Sequence, residues 1–471
     1  MPPRAKQPQP KPKPKPKPKP KPTIIRPPQG WTSKISNRRI RWDLWDDSKT
    51  RKAQVLYGPL GIDEGDPDNK ITPRFLFEFF MTDFIRVLVI DGMKAFCEDN
   101  DCSVPTFVDV MKLLVVVLSM SVRRVRWTKH YWSRTTHELL GACPFIKRVM
   151  PRDHFWELFP IVFNWDIKKA EVDLNKKFKE PYAPSSHCTI DELMVPFKGR
   201  AQHWKVYIPN KRIKMGIKIF SVNDAQIGSY YLYDFVTYLK EETRAGMTTP
   251  DDLLRNADHL LPKGVSICGD RWFGGWDIAR ELDGNNRPFI FSCRKDRPTW
   301  LWDALSNPRF RDGETRVIQH VETGITAWAF QDRRGLPLWL TNGMPSYGIN
   351  ESEKGYVGAD RRADADISFN EQMAWRRPIV RDLFQYAMQG ADRFQQMLLA
   401  YRYDRRQSKW TTAVRVYQLG MVTTNAFILY NLVRADRKQK PVSHLKFMTT
   451  LIFELCRRYV RNCPVPKHSQ L

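Results

Sequence analysis

The hydrophobic pattern of the chain changes its period near residue 187. From about 72 to 166, apolar residues recur every three or four positions, as in "TPRFLFEFFMTDFIRVLVIDGMKAF", and this period predicts amphipathic helices. After 187, short apolar or alternating runs bounded by turn residues predict strands. Three long helical patterns follow, at 381–403, 409–435 and 443–460.

The middle of the chain mixes both patterns. Strands are predicted at 187–197, 216–224, 227–236, 264–270 and 287–293, and helices at 249–261 and 275–282. Strands with interspersed helices predict an α/β sheet. Between 296 and 372 the order breaks: "TRVIQHVETGITAWAFQD" and "LPLWLTNG" predict antiparallel strands, and a long loop follows, so we interpret this segment as an insertion. In the first helical region, Ser103 is the expected N-cap of the helix in "SVPTFVDVMKLLVVVLSMSV".

One predicted strand contains two adjacent acids, in "TIDELMVPFKGR" at 189–200. Alternation places Asp191 on one face with Leu193, and Glu192 on the other face with Met194. Both faces are otherwise apolar, which is typical of a central strand covered on both sides. A carboxylate there is costly unless a partner neutralises it.

Two further acids are candidates for the same site. Asp270 follows the buried run "GVSIC", at the strand end where open α/β sheets bind ligands, and Asp392 borders the apolar stripe of "YAMQGADRFQQMLLA". Three carboxylates brought together repel one another unless cations lie between them. Mg²⁺ prefers such oxygens, and paired ions catalyse phosphoryl transfer. The spacing alone leaves open whether the three acids meet.

The charge of the chain favours a polyanionic partner. The formal net charge is +26, and residues 1–22 carry eight positive charges and no acid. The Lys-Pro tract at 11–22 excludes helix and sheet, because each proline removes a donor and fixes φ. Nucleic acid is the simplest polyanion, with an acidic membrane as the alternative. The longest apolar stretch, 113–122, is shorter than the ~20 residues of a membrane span. No signal peptide is recognisable, so an intracellular protein with reduced cysteines is expected.

Two basic groups are candidates for DNA contacts. Beside the first acid, phosphate contacts are predicted for Lys198, Arg200, Lys211, Lys214 and Lys218, with a solvated strand edge as the alternative. The second group follows the third acid and comprises Arg405, Arg406, Lys409 and Trp410. Trp410 would either stack on an unpaired base or pack at the start of a helix.

Several blocks of sequence resemble a known family. These are "TIDELMVPFKGR…YIPNKRIKMGIKIFSVND", "ICGDRWFGGWDIARELDG", "MQGADRFQQM", "YDRRQSKW" and "TTNAFILYN". Their order and separations are similar to those of the piggyBac-type transposases of the DDE superfamily, over roughly residues 70–435. The resemblance implies that Asp191, Asp270 and Asp392 are the catalytic metal ligands, and that Glu192 is a neighbour on the opposite face.

The resemblance also implies a fold. The expected class is α/β: an RNase H-like catalytic core with an inserted β-rich domain, plus an all-helical DNA-binding and dimerisation domain. The expected boundaries are a disordered basic Lys-Pro tail and linker (1–70), the helical domain (71–185), the core (186–295), the insertion (296–372), the third-acid helix of the core (373–403), and the rest of the helical domain (404–471).

The implied activity is that of a DNA transposase. Two Mg²⁺ ions, for which Mn²⁺ can substitute, would support hydrolysis at transposon ends, hairpin formation by the 3′-OH, and strand transfer into TTAA target DNA. The expected partners are double-stranded DNA and a second copy of the chain, with no membrane and no small-molecule substrate. The expected compartment is the nucleus.

Two departures from the family pattern support an alternative. Gln395 stands where the family usually has a fourth acid, three residues after the third. Near the C-terminus, Cys456, Cys463 and His468 are too few for the four ligands of a structural zinc site. The alternative is a domesticated, catalytically impaired DNA-binding protein derived from a transposase. A general RNase H-like nuclease is a third hypothesis.

Overall fold

The computed structural model describes sixteen ranges or single residues of the chain. They are 29–32, 51–62, 71–125, 127–133, 143–200, 204–209, 211, 213–240, 247–294, 303, 305, 315–331, 335–342, 378–403, 407 and 409–461. The Lys-Pro tract and the predicted loop at 351–368 lie outside these residues.

A helical region is followed by a region of strands and helices and then by long helices, as the hydrophobic pattern predicts. The helices are α1 (Pro73–Phe84), α2 (Ile90–Asn100), α3 (Phe107–Val122), α4 (Pro144–Val149), α5 (Arg152–Val162), α6 (Ile167–Lys179), α7 (Pro250–Leu260), α8 (Trp276–Gly284), α9 (Ile379–Ala387), α10 (Gln389–Ala400), α11 (Trp410–Asp436) and α12 (His444–Tyr459). The strands are β1 (Trp31–Thr32), β2 (Gln54–Val55), β3 (Tyr182–Ala183), β4 (His187–Pro196), β5 (Lys205–Tyr207), β6 (Met215–Asp224), β7 (Leu232–Thr237), β8 (Ser266–Gly274), β9 (Phe289–Cys293), β10 (Thr315–His320), β11 (Thr326–Phe330) and β12 (Leu338–Thr341).

One mixed sheet organises the structure, with strand order β1-β10-β11-β12-β9-β8-β4-β6-β5 and β7 also paired with β6. Strand β4 is central: it runs antiparallel to β6 and parallel to β8. The predicted mixed α/β class is thus confirmed. The strands predicted for the insertion are antiparallel as expected, and β12 pairs with β9, so they extend the same sheet.

Helices from the two ends of the chain pack together beside this sheet. Helix α3 packs on α12, and α1 packs on both α11 and α12. A Glu454 carboxylate oxygen accepts a hydrogen bond from the Arg74 amide at 2.9 Å, and Tyr459 donates its hydroxyl to Glu78 at 2.8 Å. The two helical segments therefore share one apolar core although the sheet separates them in sequence.

The cap predicted for the third helix is wrong. Helix α3 begins at Phe107 with Thr106 as its N-cap, not Ser103. The Thr106 hydroxyl accepts from the Asp109 amide at 3.2 Å, and the Asp109 carboxylate accepts from the Thr106 amide at 3.2 Å. This reciprocal capping box satisfies two amides that Ser103 could not reach.

The long helix predicted at 381–403 is divided. Helix α9 ends at Ala387 and α10 begins at Gln389, with Met388 between them. The Thr189 hydroxyl of β4 donates a hydrogen bond to the Ala387 carbonyl at this break. A side chain of the sheet therefore donates a hydrogen bond to the last carbonyl of α9. The period of apolar residues along the chain does not reveal such a break in the helix.

The cysteines follow the expectation of reduced thiols with one exception. Six described cysteines are free, but Cys456 is disulfide-bonded, which corrects the sequence-based interpretation at that position. Its partner lies outside the described residues. Among the described helices, none is both long enough and apolar enough to cross a bilayer.

Candidate active site

The candidate site lies where two parallel strands separate. The pairing of β4 with β8 ends at Ile190↔Gly269, and the pairing of β8 with β9 is irregular between Gly269 and Gly274. Asp191 and Asp270 are the next residues of the two strands. Their carboxylates and that of Glu192 have ligand atoms that all lie within 4.8 Å of one another. The strand predicted to end at Asp270 continues to Gly274, so both acids lie inside their strands, and the fold brings their carboxylates together.

Glu192 is a member of this cluster, although alternation predicted that it would face away. The Asp191 carboxylate lies against its own strand, since its Oδ1 accepts a hydrogen bond from the amide of the next residue, Glu192, at 2.7 Å. The pairing with β8 has ended at this point, so the flank of β4 is open. Alternation determines the direction of the Cβ atom, whereas the carboxylate of a long side chain can end beside either face.

Asp392 approaches the cluster from α10. It lies in the first turn of α10, which packs against β4 and β6. Its side chain is 63% exposed, and its Oδ1 lies 3.8 Å from Lys211 Nζ. In the described chain, the 4.8 Å group contains Asp191, Glu192 and Asp270 but not Asp392. The structure therefore brings two of the three expected carboxylates together and connects the third through a lysine.

Gly390 permits this close approach of α10 to the sheet. A Cβ atom at Gly390 would lie 2.8 Å from the Asp224 carbonyl oxygen and 2.9 Å from Thr189 Oγ1. Both distances are shorter than a normal van der Waals contact, so a side chain would push the helix outward. The glycine two residues before Asp392 thus determines how near that acid comes to β4.

Burial and mutual repulsion make the acid cluster electrostatically unfavourable. Burial raises the pKa of Asp191 to about 7; the Glu192 and Asp270 charges add to this, and Lys211 and the Glu192 amide oppose it. Burial also raises the pKa of Asp270, against the Trp272 amide, which donates to its Oδ1 at 2.8 Å. Such a cluster requires positive charge. A set of carboxylate oxygens alone fits a hard divalent ion such as Mg²⁺ or Mn²⁺.

The predicted DNA-contact residues occupy different environments. Exposed side chains belong to Lys198, Arg200, Lys214 and Lys409, whereas Lys211 lies in the acid cluster. Lys218 Nζ lies 5.2 Å from the ring centroids of both Phe220 and Trp272, so its charge faces aromatic rings. Arg405 and Arg406 lie outside the described residues.

Trp410 packs against another ring at the start of a helix, which is one of the two alternatives given for it. It is the first residue of α11, and its ring meets that of the buried Trp204 edge-on with centroids 5.1 Å apart. The side chain remains half-buried. Base stacking on Trp410 stays a prediction.

Gln395 has a structural contact at the position where the family usually has an acid. Its Nε2 donates hydrogen bonds to the Met194 carbonyl and to the Tyr417 hydroxyl, both at 3.1 Å. The amide therefore connects α10 to β4 and α11. A carboxylate could accept from Tyr417 but could not donate to the carbonyl of β4.

Comparison with known proteins agrees with this architecture. A family model described as "Transposase IS4" matches residues 72–427, which is most of the chain. The chain belongs to this transposase family. Within it, the chain is of the piggyBac type, which confirms the resemblance carried by the sequence blocks.

A solved structure has a similar fold. It is the cryo-EM structure of a piggyBac transposase synaptic complex with hairpin DNA. The match has a TM-score of 0.68 at 20% sequence identity and covers 85% of this chain and 84% of that chain. At this identity the likeness shows the fold.

Proposed function

We propose that this protein is an active DNA transposase that cleaves transposon ends and joins them to TTAA target DNA. The observation that carries the proposal is the meeting of the Asp191 and Asp270 carboxylates where their parallel strands separate, in a chain of this family. The similar solved structure is a complex with hairpin DNA, which supports DNA as the substrate class here.

The residues of the cluster have distinct roles in this proposal. Asp191 and Asp270 hold the metal, and Asp392 completes the site from α10. The Glu192 amide donates to the Asp191 carboxylate and the Trp272 amide to the Asp270 carboxylate, and each bond fixes the orientation of its acceptor. When bound, two Mg²⁺ ions, or Mn²⁺ in their place, would activate an attacking oxygen and stabilise the departing one.

The exposed cations near the acid pocket would bind the DNA backbone. Pro196 pairs with Gly216, so Lys198 and Lys214 lie just beyond the same end of the β4–β6 ladder. Asp191 lies in the middle of the same strand. Phosphate contacts from these lysines would position a duplex beside the acids without reading its sequence.

A nicking assay tests the catalytic proposal. The substrate is duplex DNA with the terminal inverted repeats that flank the source gene, incubated with Mg²⁺ or Mn²⁺. The wild-type protein is expected to nick it and Asp270→Asn to fail, because the variant loses a carboxylate ligand. Asp277→Asn is the matched control, since Asp277 is an exposed first-turn acid of α8.

Two results would reject the catalytic proposal. One is equal nicking by the wild-type protein and Asp270→Asn. The other is the absence of nicking by the wild-type protein at every metal concentration, together with retained DNA binding. The second result would establish the alternative of a domesticated DNA-binding protein, which Gln395 favours.

The finer parts of the proposal have their own measurements. Sequencing of integration junctions is expected to show duplicated TTAA on both sides of the inserted DNA. Light scattering of the DNA complex is expected to give two copies of the chain. Microscopy of the tagged full-length chain is expected to show it in the nucleus. Junctions without TTAA would refute the target assignment, and a single copy in the DNA complex would refute the dimer. Exclusion from the nucleus would refute the assigned compartment.

A further inference from the structure

The ammonium group of Lys211 lies where a cation would be expected. Its Nζ is 3.5 Å from Asp191 Oδ2, 3.9 Å from Glu192 Oε1 and 3.8 Å from Asp392 Oδ1. A direct hydrogen bond between an ammonium and a carboxylate measures about 2.7–2.9 Å. All three distances are longer, so the ammonium is shared by the three acids and not bound tightly to one.

Lys211 is held in this position by electrostatic attraction. Its side chain is only 23% exposed, and burial by itself would lower its pKa. The charges of Asp191, Glu192 and Asp392 reverse this effect and raise the pKa. Its position between three carboxylates makes the ammonium an internal counter-ion, and it is the contact that connects Asp392 to the strand acids.

The loop that carries Lys211 leaves its side chain free to turn out of the acid cluster. Lys211 lies in the loop between β5 and β6, which is closed by the Ile208 amide donating to the Lys214 carbonyl at 2.8 Å. The four-carbon side chain can rotate outward without opening this loop. The backbone of Asp191 and Glu192 is fixed, because both residues belong to the central strand of the sheet.

We propose that Lys211 is the resident cation of the metal-free acid cluster, and that a divalent ion displaces its ammonium on binding. This inference rests on the proposed metal site. The ammonium and the ion compete because two positive charges repel each other when they approach the same carboxylate oxygens. The released ammonium then extends towards solvent near Lys214, where it can contact a DNA phosphate, so metal loading and one DNA contact are coupled.

A binding titration tests the competition without using catalysis. Full-length protein is titrated with Mn²⁺ and the free ion is followed by electron paramagnetic resonance, at a pH of about 8, which is well above the ordinary pKa of a carboxyl group. Lys211→Met is expected to bind Mn²⁺ at least about tenfold more tightly than the wild-type protein, a difference of about 1.4 kcal/mol. Lys214→Met is the matched control, since it removes the same charge from an exposed side chain. Unchanged or weaker binding by Lys211→Met would overturn the proposal.

A labelling experiment tests the displacement in the wild-type protein itself. An N-hydroxysuccinimide ester acylates free amines, and peptide mass spectrometry gives the rate at each lysine. Lys211 is expected to react several-fold faster with Mn²⁺ present than without it, while Lys214 reacts at the same rate in both. A Lys211 rate that is unchanged or slower with Mn²⁺ would refute displacement, even if Lys211→Met failed to fold.

Asp270→Asn separates this inference from the proposed function. If Asp270→Asn loses Mn²⁺ binding while Lys211→Met binds like the wild-type protein, only the Lys211 proposal fails. If Asp270→Asn binds Mn²⁺ as well as the wild-type protein, or if no protein binds it, the metal assignment fails and the Lys211 proposal fails with it.

Discussion

Gly390→Ala should destabilise the protein by forcing α10 away from the sheet. The new Cβ would lie 2.8 Å from the Asp224 carbonyl oxygen and 2.9 Å from Thr189 Oγ1. Neither atom can easily yield, because the first is backbone and the second donates to the Ala387 carbonyl. Overpacking of this kind costs about 1–3 kcal/mol. The better helix propensity of alanine offsets at most about 1 kcal/mol of this.

A net loss of about 1–2 kcal/mol corresponds, for a chain of this size, to a melting temperature lower by about 1–3 °C. The assay is thermal unfolding of the metal-free proteins at one pH. The control is Gly284→Ala, because an added Cβ at that position in α8 has no atom within 4 Å. A melting temperature of Gly390→Ala equal to that of the wild-type protein would refute the argument from close packing, as would an equal loss in Gly284→Ala.

Three further outcomes follow from the site and its surroundings. The raised pKa of Asp191, about 7 against an ordinary 3.8, means that the folded state holds a proton that the unfolded state has released between these pH values. The free energy of unfolding of the metal-free protein should therefore fall as pH rises from about 4 to 7, and Asp191→Asn should reduce that fall; an identical pH profile would contradict this. Arg287→Met should cost about 3–5 kcal/mol in chemical unfolding, because the buried guanidinium pairs with Asp258 at 2.6 Å, whereas exposed Arg255→Met should cost much less. Lys198→Ala should reduce the slope of log K against log salt for DNA binding by about 0.9, and an unchanged slope would exclude a phosphate contact.

Local patterns in the sequence were sufficient for most of the elements. The period of apolar residues predicted α7, α11 and α12 closely. In the structure α7 begins with a capping box, in which Thr249 and Asp252 exchange reciprocal hydrogen bonds. Alternation identified β4 as a buried central strand. These features depend on residues only a few positions apart, whose side chains share a face by the geometry of the helix or strand.

The acid cluster was only partly predictable. The residues by themselves left open whether Asp270 would meet Asp191, and only the family resemblance implied it. In the structure both acids lie inside parallel neighbouring strands, at the point where the pairing of those strands ends. That Glu192 would join them was not predictable, since this depends on where the pairing of β4 with β8 ends.

The amino-acid sequence by itself determined the family, the periods of the elements and the identity of the acids. Only the tertiary structure decided that Lys211 lies between those acids and that Gln395 donates to the backbone of β4. The physical reason is the separation in sequence of the residues that interact. Helix and strand patterns arise from neighbours along the chain, whereas these contacts require the register of the sheet and the packing of α10, which residues hundreds of positions apart fix together.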